Sequence, residues 1–408
     1  MKLILKTINT PTLLVLFDQL MYSGSNFMIT IFLARLLSVT EFGLFSSIII
    51  YTYLLLSLLS AFLIQPFQIA YPKTENKNEY VQFILYSVMF SFLLISAVNF
   101  LIYLFLPIKS FSFLTLTFFL FTYIFQDFLR KTLLTKNAIK SVSYMDAIFL
   151  FSIVSSYFII DKSIINLNVA LLIISISNLL SICFGILPLL KSFQKAINWK
   201  TYLKSHWLQG KWFVSVSLLQ WGNSNLIILF SGLYIGLEGI GALRLVQSFF
   251  GILNVLLQVV ENYFLPKIAK LYHENRQTAK QYLLKITLNG LLLFGSILLL
   301  LFMFPNKAMT LAGGIQYVKY SFLVQFMAIL YLIIFLGYPI RIMIRIKLLN
   351  KSFFIGYLFA FLFTLLSFQW LLVHYSISGA VLGLILNQII MLLYWQFQLK
   401  KNHFLLWK

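Results

Sequence analysis

The stretch RLVQSFFGILNVLLQVVE, residues 244–261, carries the reading on which the fold turns. Eleven of its eighteen residues are Leu, Val, Ile or Phe. Arg244, Gln247, Gly251, Asn254, Gln258 and Glu261 follow one another at spacings of three and four, which puts them on one face of an α-helix. A hydrocarbon core takes roughly 20 apolar residues to cross, so a helix apolar everywhere but one stripe belongs in a membrane bundle. Its stripe then lines an aqueous cavity, or its amides bond to neighbouring helices. Five polar side chains on one face favour the cavity, with Glu261 the weakest member because Lys267 lies close by.

Apolar runs of similar length recur along the whole chain. They predict spans at 11–37, 42–70, 80–107, 111–134, 144–160, 167–190, 208–235, 239–265, 281–304, 316–340, 352–374 and 378–399. Composition agrees: 61% of the residues are hydrophobic, 10% are charged, and mean hydropathy is +0.93. A soluble domain is about half apolar and a quarter charged. The first run follows a short basic segment without a small-residue cleavage site, and reads as a retained helix. Cys183, the single cysteine, excludes an intrachain disulfide and, in its apolar stretch, is expected to pack in a core. The expected class is therefore an all-α integral membrane protein with about 12 transmembrane helices.

The net charge of +21 would suggest nucleic acid in a soluble protein. Its placement says otherwise. Twenty-five Lys and Arg residues, Arg130 and Arg341 among them, fall in one alternate set of connections and at the termini. The opposite set holds Arg35, Lys109, Lys162, Lys307 and Lys319. By the positive-inside rule both termini are cytoplasmic. The opposite connections are too short for a folded catalytic domain.

An offset of about 199 residues superimposes Ser25-Asn26 on Ser224-Asn225, and Pro66 with Ile69-Ala70 on Pro266 with Ile268-Ala269. Glu41 and Gly43 correspond loosely to Glu238 and Gly241, and the match fades beyond the third span. The expected organisation is a six-helix half at 1–190, a cytoplasmic basic linker at 191–210 and a second six-helix half at 211–408. The linker mixes Trp199, Tyr202, Leu203 and Trp207 with Lys195, Lys200 and Lys204, which suits a helix in the headgroup region or a solvated basic connection. Paired halves of this kind are typical of transporters that rock about a shared site.

Charges inside spans need partners or a cavity. Asp18, Tyr22 and Ser25 share a face of the first span, with Asn26 beside them and Asn225 at the matching place in the seventh. Asp18 either pairs with a cation on another helix or takes up a coupling proton or sodium ion. Asp127 is expected to pair with Arg130 or Lys131 at a helix end. Arg35 either meets an anionic headgroup or snorkels to the interface. The four histidines show no ligand spacing, so neither a metal nor a cofactor is expected.

Two stretches resemble a known family. ARLLSVTEFGLFS at 34–46 resembles the ARLLGPxEFGLYS-like run at the first outer hairpin of bacterial polysaccharide exporters. Gly241 to Arg244, Gln247, Gly251 to Gln258, Glu261-Asn262 and Pro266 are similar to the ALRAAQ…GPLNVLLQ…EN…P stretch of the same proteins. These are the Wzx-type lipid-linked oligosaccharide flippases of the multidrug/oligosaccharidyl-lipid/polysaccharide (MOP) superfamily. The motifs cover about a sixth of the chain. The resemblance implies a MATE/MOP-like pair of bundles in a bacterial inner membrane. Its passenger would be an undecaprenyl-diphosphate-linked repeat unit of O-antigen, capsule or exopolysaccharide.

The partners so implied are the bilayer, the polyprenyl-diphosphate-linked glycan and other polysaccharide assembly proteins, with no nucleic acid. Asp18, Tyr22, Asn26, Asn225, Arg244, Gln247, Asn254, Gln258 and Glu261 would line the cavity, and Arg244 or Arg35 would meet the diphosphate. Asp18 departs from the lipid II flippases of the superfamily, which carry basic residues in the first helix. Two other readings compete: a cation-coupled drug or metabolite antiporter of the same superfamily, and a membrane-embedded glycosyltransferase, polymerase or ligase.

The orientation has a direct check. Alkaline phosphatase fused after Lys307 should be active, and a green fluorescent protein fused after Lys408 should fluoresce; the reverse pattern would overturn the charge argument.

Overall fold

Inside a bilayer every backbone N–H and C=O must be paired within the protein, so an apolar chain with this patterning has to be helical. The computed structural model describes residues 10–105, 111–192 and 198–404; for 10–17, 19–20, 190–192, 252, 255 and 258–263 only the backbone is described. All regular elements among the described residues are helical. In chain order they are α1 (Thr10–Leu36), α2 (Val39–Leu59), α3 (Gln65–Ala70), α4 (Lys77–Phe105), α5 (Phe113–Thr135) and α6 (Ile139–Ile159). There follow α7 (Leu167–Ile186), α8 (Trp199–Glu274), α9 (Arg276–Met303), α10 (Pro305–Gly313), α11 (Phe322–Ile346) and α12 (Asn350–Lys401).

Two of these are helical hairpins. In α8 the chain breaks at Gly236, whose φ of 75° is open to glycine and strained for other residues. In α12 it breaks at Ser376, with φ 50°. The reversal in α12 shows in its contacts. Phe353 and Trp395 stack with centroids 5.1 Å apart, and Asn387 donates to Thr364. A straight helix would hold the latter pair, 23 residues apart, about 35 Å from each other. Nine helical stretches among the described residues are long and apolar enough to cross a membrane. Two of them double back at Gly236 and Ser376; with α1, 27 residues long, the described residues hold about twelve membrane helices, in two six-helix halves.

The chain divides into two compact units, Met1–Leu37 with Ile48–Leu218 and Ser38–Ser47 with Leu219–Lys408. In the first, α1 packs along α6, and α7 along α5 and α6. In the second, α11 packs against α9 and α12. The segment that enters the second unit opens α2 with a capping box. Ser38 Oγ donates to Glu41 Oε2 at 2.9 Å, and the Glu41 N–H donates back to Ser38 Oγ at 3.3 Å. Phe42 is fully buried there, edge-on to Tyr317 at 5.9 Å. Gly43 lies against the Leu237 carbonyl and beside Gly241, where a Cβ on Gly43 would collide with that carbonyl oxygen.

The other kink follows from hydrogen-bond accounting. A π-turn, Ser60–Ile64, precedes α3, and Pro66 has no N–H for the carbonyl of Phe62 four residues back. His206 Nδ1 donates to that carbonyl at 3.0 Å, leaving Nε2 to accept from Tyr80 O–H at 2.8 Å. Tyr202, one turn earlier, stacks on Tyr80 at 4.7 Å. The start of α8 is thereby fixed to the first unit.

Three expectations change. Cys183 is exposed instead of packed in a core, because a helix face turned outward in a membrane protein is as apolar as one turned inward. By sequence Arg130 and Arg341 count with the loop cations; Arg341, just beyond its expected span, lies half-buried inside α11, and Arg130, expected at the end of the fourth span, is buried within α5. The tenth span runs six residues further than expected, because Pro339 and Arg341 are accommodated within α11 and Ile315–Tyr320 forms a separate 3₁₀ turn.

The close approach at Gly43 has a measurable consequence. Gly43→Ala should lower the thermal midpoint of detergent-purified protein, by the ~1–3 kcal/mol of an overpacked contact. Gly24→Ala, with nothing within 4 Å of its Cβ position, should be neutral or slightly stabilising. Equal midpoints for both variants would contradict the packing account.

Candidate functional site

Each unit gathers polar side chains around an arginine. In the first unit that residue is Arg130, on α5. Its Nη2 meets Asp18 Oδ2 at 2.5 Å and its Nε meets Asp146 Oδ2 at 2.8 Å, on α1 and α6 respectively. The guanidinium lies over the ring of Tyr22, 4.3 Å from its centroid. Tyr22 O–H donates to Asp127 Oδ1 at 3.4 Å, and Lys131 pairs with Asp127 at 2.7 Å. Tyr123 O–H donates to Asn26 Oδ1 at 3.0 Å. Asp18 and Asp146 are each 1% exposed. The cluster holds three carboxylates and two cations, so its arginine is fully neutralised.

In the second unit Arg341 and Arg244 both line a cavity of about 360 Å³. Its walls come from both arms of α8, from α11 and from both arms of α12. Asn223, Asn225, Gln247, Asn254, Asn387 and Gln388 supply amides, and Tyr331, Tyr338, Tyr357 and Trp395 supply aromatic rings. Among the described residues that line it there is no carboxylate. Asn254 Nδ2 donates to Tyr331 O–H at 2.9 Å, Arg244 Nη1 to Gln247 Oε1 at 3.4 Å, and Asn223 Nδ2 to the Tyr357 carbonyl at 2.9 Å. Among the described residues that line it, three buried atoms have no hydrogen-bond partner in the protein: Asn223 Oδ1, Asn387 Oδ1 and Arg341 Nε. The cavity can therefore hold a polar, anionic group that accepts from guanidinium and exchanges hydrogen bonds with amides. A smaller pocket of about 30 Å³ in the first unit, between α1, α6 and α7, is mainly apolar.

The two arginines occupy equivalent places in an internal repeat. Up to the third span the offset is 199, as Ser25-Asn26 and Ser224-Asn225 show. Seven residues then separate Phe105 from Phe113, against eighteen between Met303 and Phe322, where α10 and the 3₁₀ turn are inserted. Beyond that point the offset is 211 (341 − 130, 348 − 137 and 350 − 139). It relates Arg130 to Arg341, the left-handed Asn137 and Leu348 that end α5 and α11, and the starts of α6 and α12. By these offsets Asp18 corresponds to Ser217, Asp127 to Tyr338 and Asp146 to Tyr357. The arginine stays and all three carboxylates are gone.

Asn225, Arg244, Gln247 and Asn254 line the cavity of the second unit. Asp18, Tyr22 and Asn26 join the network of the first unit, where Asp18 has the cation partner that was one of its two expected roles. Asp127 takes Lys131, while Arg130 goes to Asp18 and Asp146 instead. Arg35 is exposed in the last turn of α1. The side chains of Gln258 and Glu261 lie outside the described residues. Sequence reading missed Asp146, Arg341, Tyr331, Tyr338, Tyr357 and Asn387. Continuing the repeat at an offset of 211 beyond the inserted α10 is the signal that would have found Arg341.

Searches with family models and against curated proteins find no match to this chain. Solved structures do match in fold. The lipid II flippase MurJ in an inward closed conformation superimposes with a TM-score of 0.72 at 13% identity, over 95% of this chain and 87% of that one. An inward-facing multidrug resistance MATE family transporter of the MOP superfamily gives 0.64 at 14% identity, over 97% and 96%. A MOP superfamily transporter from Pyrococcus furiosus, described as having a binding pocket of reverse polarity, gives 0.58 at 14% identity, over 97% of each chain. At such identities the likeness establishes the fold, that of the MOP transporters.

The neutralised cluster is open to a stability test. Arg130→Ala leaves Asp18 and Asp146 buried without their cation, at a cost of ~3–5 kcal/mol. It should abolish the monodisperse peak in size-exclusion chromatography. Combining Arg130→Met with Asp18→Asn and Asp146→Asn removes all three charges and should restore much of that peak. A triple variant as poor as the single one would refute the charge-balance explanation.

Proposed function

We propose that this chain is a transporter that carries an undecaprenyl-diphosphate-linked oligosaccharide from the cytoplasmic to the outer leaflet of a bacterial inner membrane. The passenger would be a repeat unit of O-antigen, capsule or exopolysaccharide, moved by alternating access with both termini in the cytoplasm. The observation that carries this reading is the cavity of the second unit, with two arginines, a wall of amides and aromatic rings, and no carboxylate among its described lining residues. A diphosphate is recognised by guanidinium through charge-assisted hydrogen bonds. Sugar hydroxyls both donate and accept, as Asn and Gln side chains do. Tyrosine and tryptophan offer flat apolar faces with a polar edge, which suit the two-sided character of a pyranose ring.

The MOP fold supports the same reading, since it occurs both in a lipid II flippase and in multidrug transporters. A carrier of cationic drugs needs negative charge where the cation sits. The described lining of this cavity has the opposite sign, and Asp18 is already paired with Arg130. These two facts favour the lipid-linked anion over the antiporter. The same fold argues for transport and not for glycosyl transfer, so no enzymatic role is proposed. Other polysaccharide assembly proteins would be its partners in the cell.

In a bacterium that depends on this chain for surface glycan, Arg244→Ala and Asn254→Leu should abolish surface glycan while the membrane level of protein is unchanged. Normal glycan in both variants would sink the assignment. Cation-dependent efflux of small dyes from proteoliposomes, without glycolipid movement, would favour the antiporter instead.

A further inference from the structure

Arg244 and Arg341 share one cavity but not one depth. The second arm of α8 and the helix α11 start from the same end, since Glu238 accepts from Lys319 Nζ at 3.0 Å and from Tyr320 O–H at 3.3 Å. The Asn254–Tyr331 hydrogen bond marks a common level further along both helices. Arg244 precedes Asn254 by ten residues and Arg341 follows Tyr331 by ten. At 1.5 Å per residue each α-carbon lies about 15 Å from that level, on opposite sides of it. One diphosphate cannot touch both guanidiniums.

Comparison of the repeats shows why Arg341 keeps its charge available. Its counterpart Arg130 is held by Asp18 and Asp146, while the positions that correspond to these in the repeat carry Ser217 and Tyr357, and Tyr338 stands in place of Asp127. Tyr338 places its ring under the Arg341 guanidinium, 5.7 Å from the centroid, which fixes its orientation without neutralising it. Arg341 Nε is buried and has no acceptor in the protein. A half-buried guanidinium whose Nε–H has no acceptor, in a cavity with no carboxylate among its described lining residues, is a site for an anion.

We infer that Arg341 is a second, separate anion station of the cavity, at which the diphosphate of the passenger is held before it passes the Asn254–Tyr331 level and reaches Arg244. This rests on the transport reading above and adds to it an order of binding. Arg341 lies at the end of α11 that carries Arg345 and Lys347, the cytoplasmic end by the positive-inside rule, so it receives the passenger. Arg244 lies towards the Gly236 break, at the opposite end, and releases it.

The test uses the full chain in nanodiscs, with farnesyl diphosphate as probe and farnesol as the uncharged control, read by isothermal titration. The wild type should bind the diphosphate and not the alcohol. Arg341→Gln and Arg244→Gln should each leave measurable binding at the other station, and the double variant should bind at least tenfold more weakly than either. Arg341→Lys should recover part of the loss, which a purely structural role for the guanidinium would not predict. Tyr357→Asp, which keeps the arginine and supplies a carboxylate as in the first unit, should reproduce Arg341→Gln while remaining monodisperse. The station is refuted if Arg341→Gln binds like wild type and the double variant is no weaker than Arg244→Gln. It is equally refuted if either single variant abolishes binding outright, the mark of one shared site. No binding by the wild type would overturn the station together with the lipid-diphosphate reading, whereas the two preceding results overturn the station alone.

Discussion

A guanidinium among membrane helices must be given a counter-charge, water or a ligand, and most of what distinguishes the two units follows from how each meets that demand. Placing an unpaired arginine at mid-bilayer costs ~2.5–3.5 kcal/mol even on lenient insertion scales. The first unit surrounds Arg130 with Asp18, Asp146 and the ring of Tyr22, and closes the network through Asp127 and Lys131. The second keeps the arginine, and the repeat positions that correspond to the three carboxylates carry serine and tyrosine. Its charge is then carried into a cavity, beside amides that can bond to a polar occupant. The two copies of the repeat thus share one arginine-centred framework and differ in whether acids surround the arginine.

Backbone accounting imposes the remaining irregularities. A helix that must reverse or bend inside lipid exposes carbonyls that water cannot reach. Where Pro66 frees the Phe62 carbonyl, His206 supplies the missing donor and, through Tyr80, fixes the beginning of α8 to the first unit. At Gly236 the reversal uses the backbone freedom of glycine. The entry of α2 into the second unit uses the reciprocal Ser38–Glu41 cap and the absence of a side chain at Gly43. The motif 34–46, noticed first as a family likeness, thus has a local physical meaning: it caps a helix, buries Phe42 and lets two backbones touch.

Much of the fold was legible because lipid permits so few backbone solutions. The twelve apolar runs were readable from hydropathy alone, and the polar stripe of residues 244–254 from its helical spacing. What sequence reading misjudged were residues whose chemistry looks the same in two settings. Arg130 and Arg341 counted as loop cations because an arginine near a span end usually is one, and only buried partners or a cavity reveal the difference. Cys183 looked like core because lipid-facing and core-facing helix faces share one composition. The fourth-span repeat was hidden by the insertion of α10, which moved the register from 199 to 211 and concealed the kinship of Arg130 and Arg341. The pairing of Asp18 across helices could be posed as a possibility from sequence but not chosen.

A transporter must bind its passenger well enough to admit it and loosely enough to release it, a balance that multi-site paths achieve by handing a charge from one modest site to the next. Two guanidiniums converging on a single diphosphate in a cavity without carboxylates would make a deep trap, because charge-assisted bidentate contacts strengthen as water is excluded. Set about 15 Å either side of a shared level, the same two arginines divide that attraction into two shallower wells. The amides between them, Asn254 bonded to Tyr331 and Gln247 to Arg244, already have partners that can be exchanged for sugar hydroxyls at little net cost. On the proposed reading, separation of the arginines along the path is what would let a cationic cavity carry an anion instead of merely holding it.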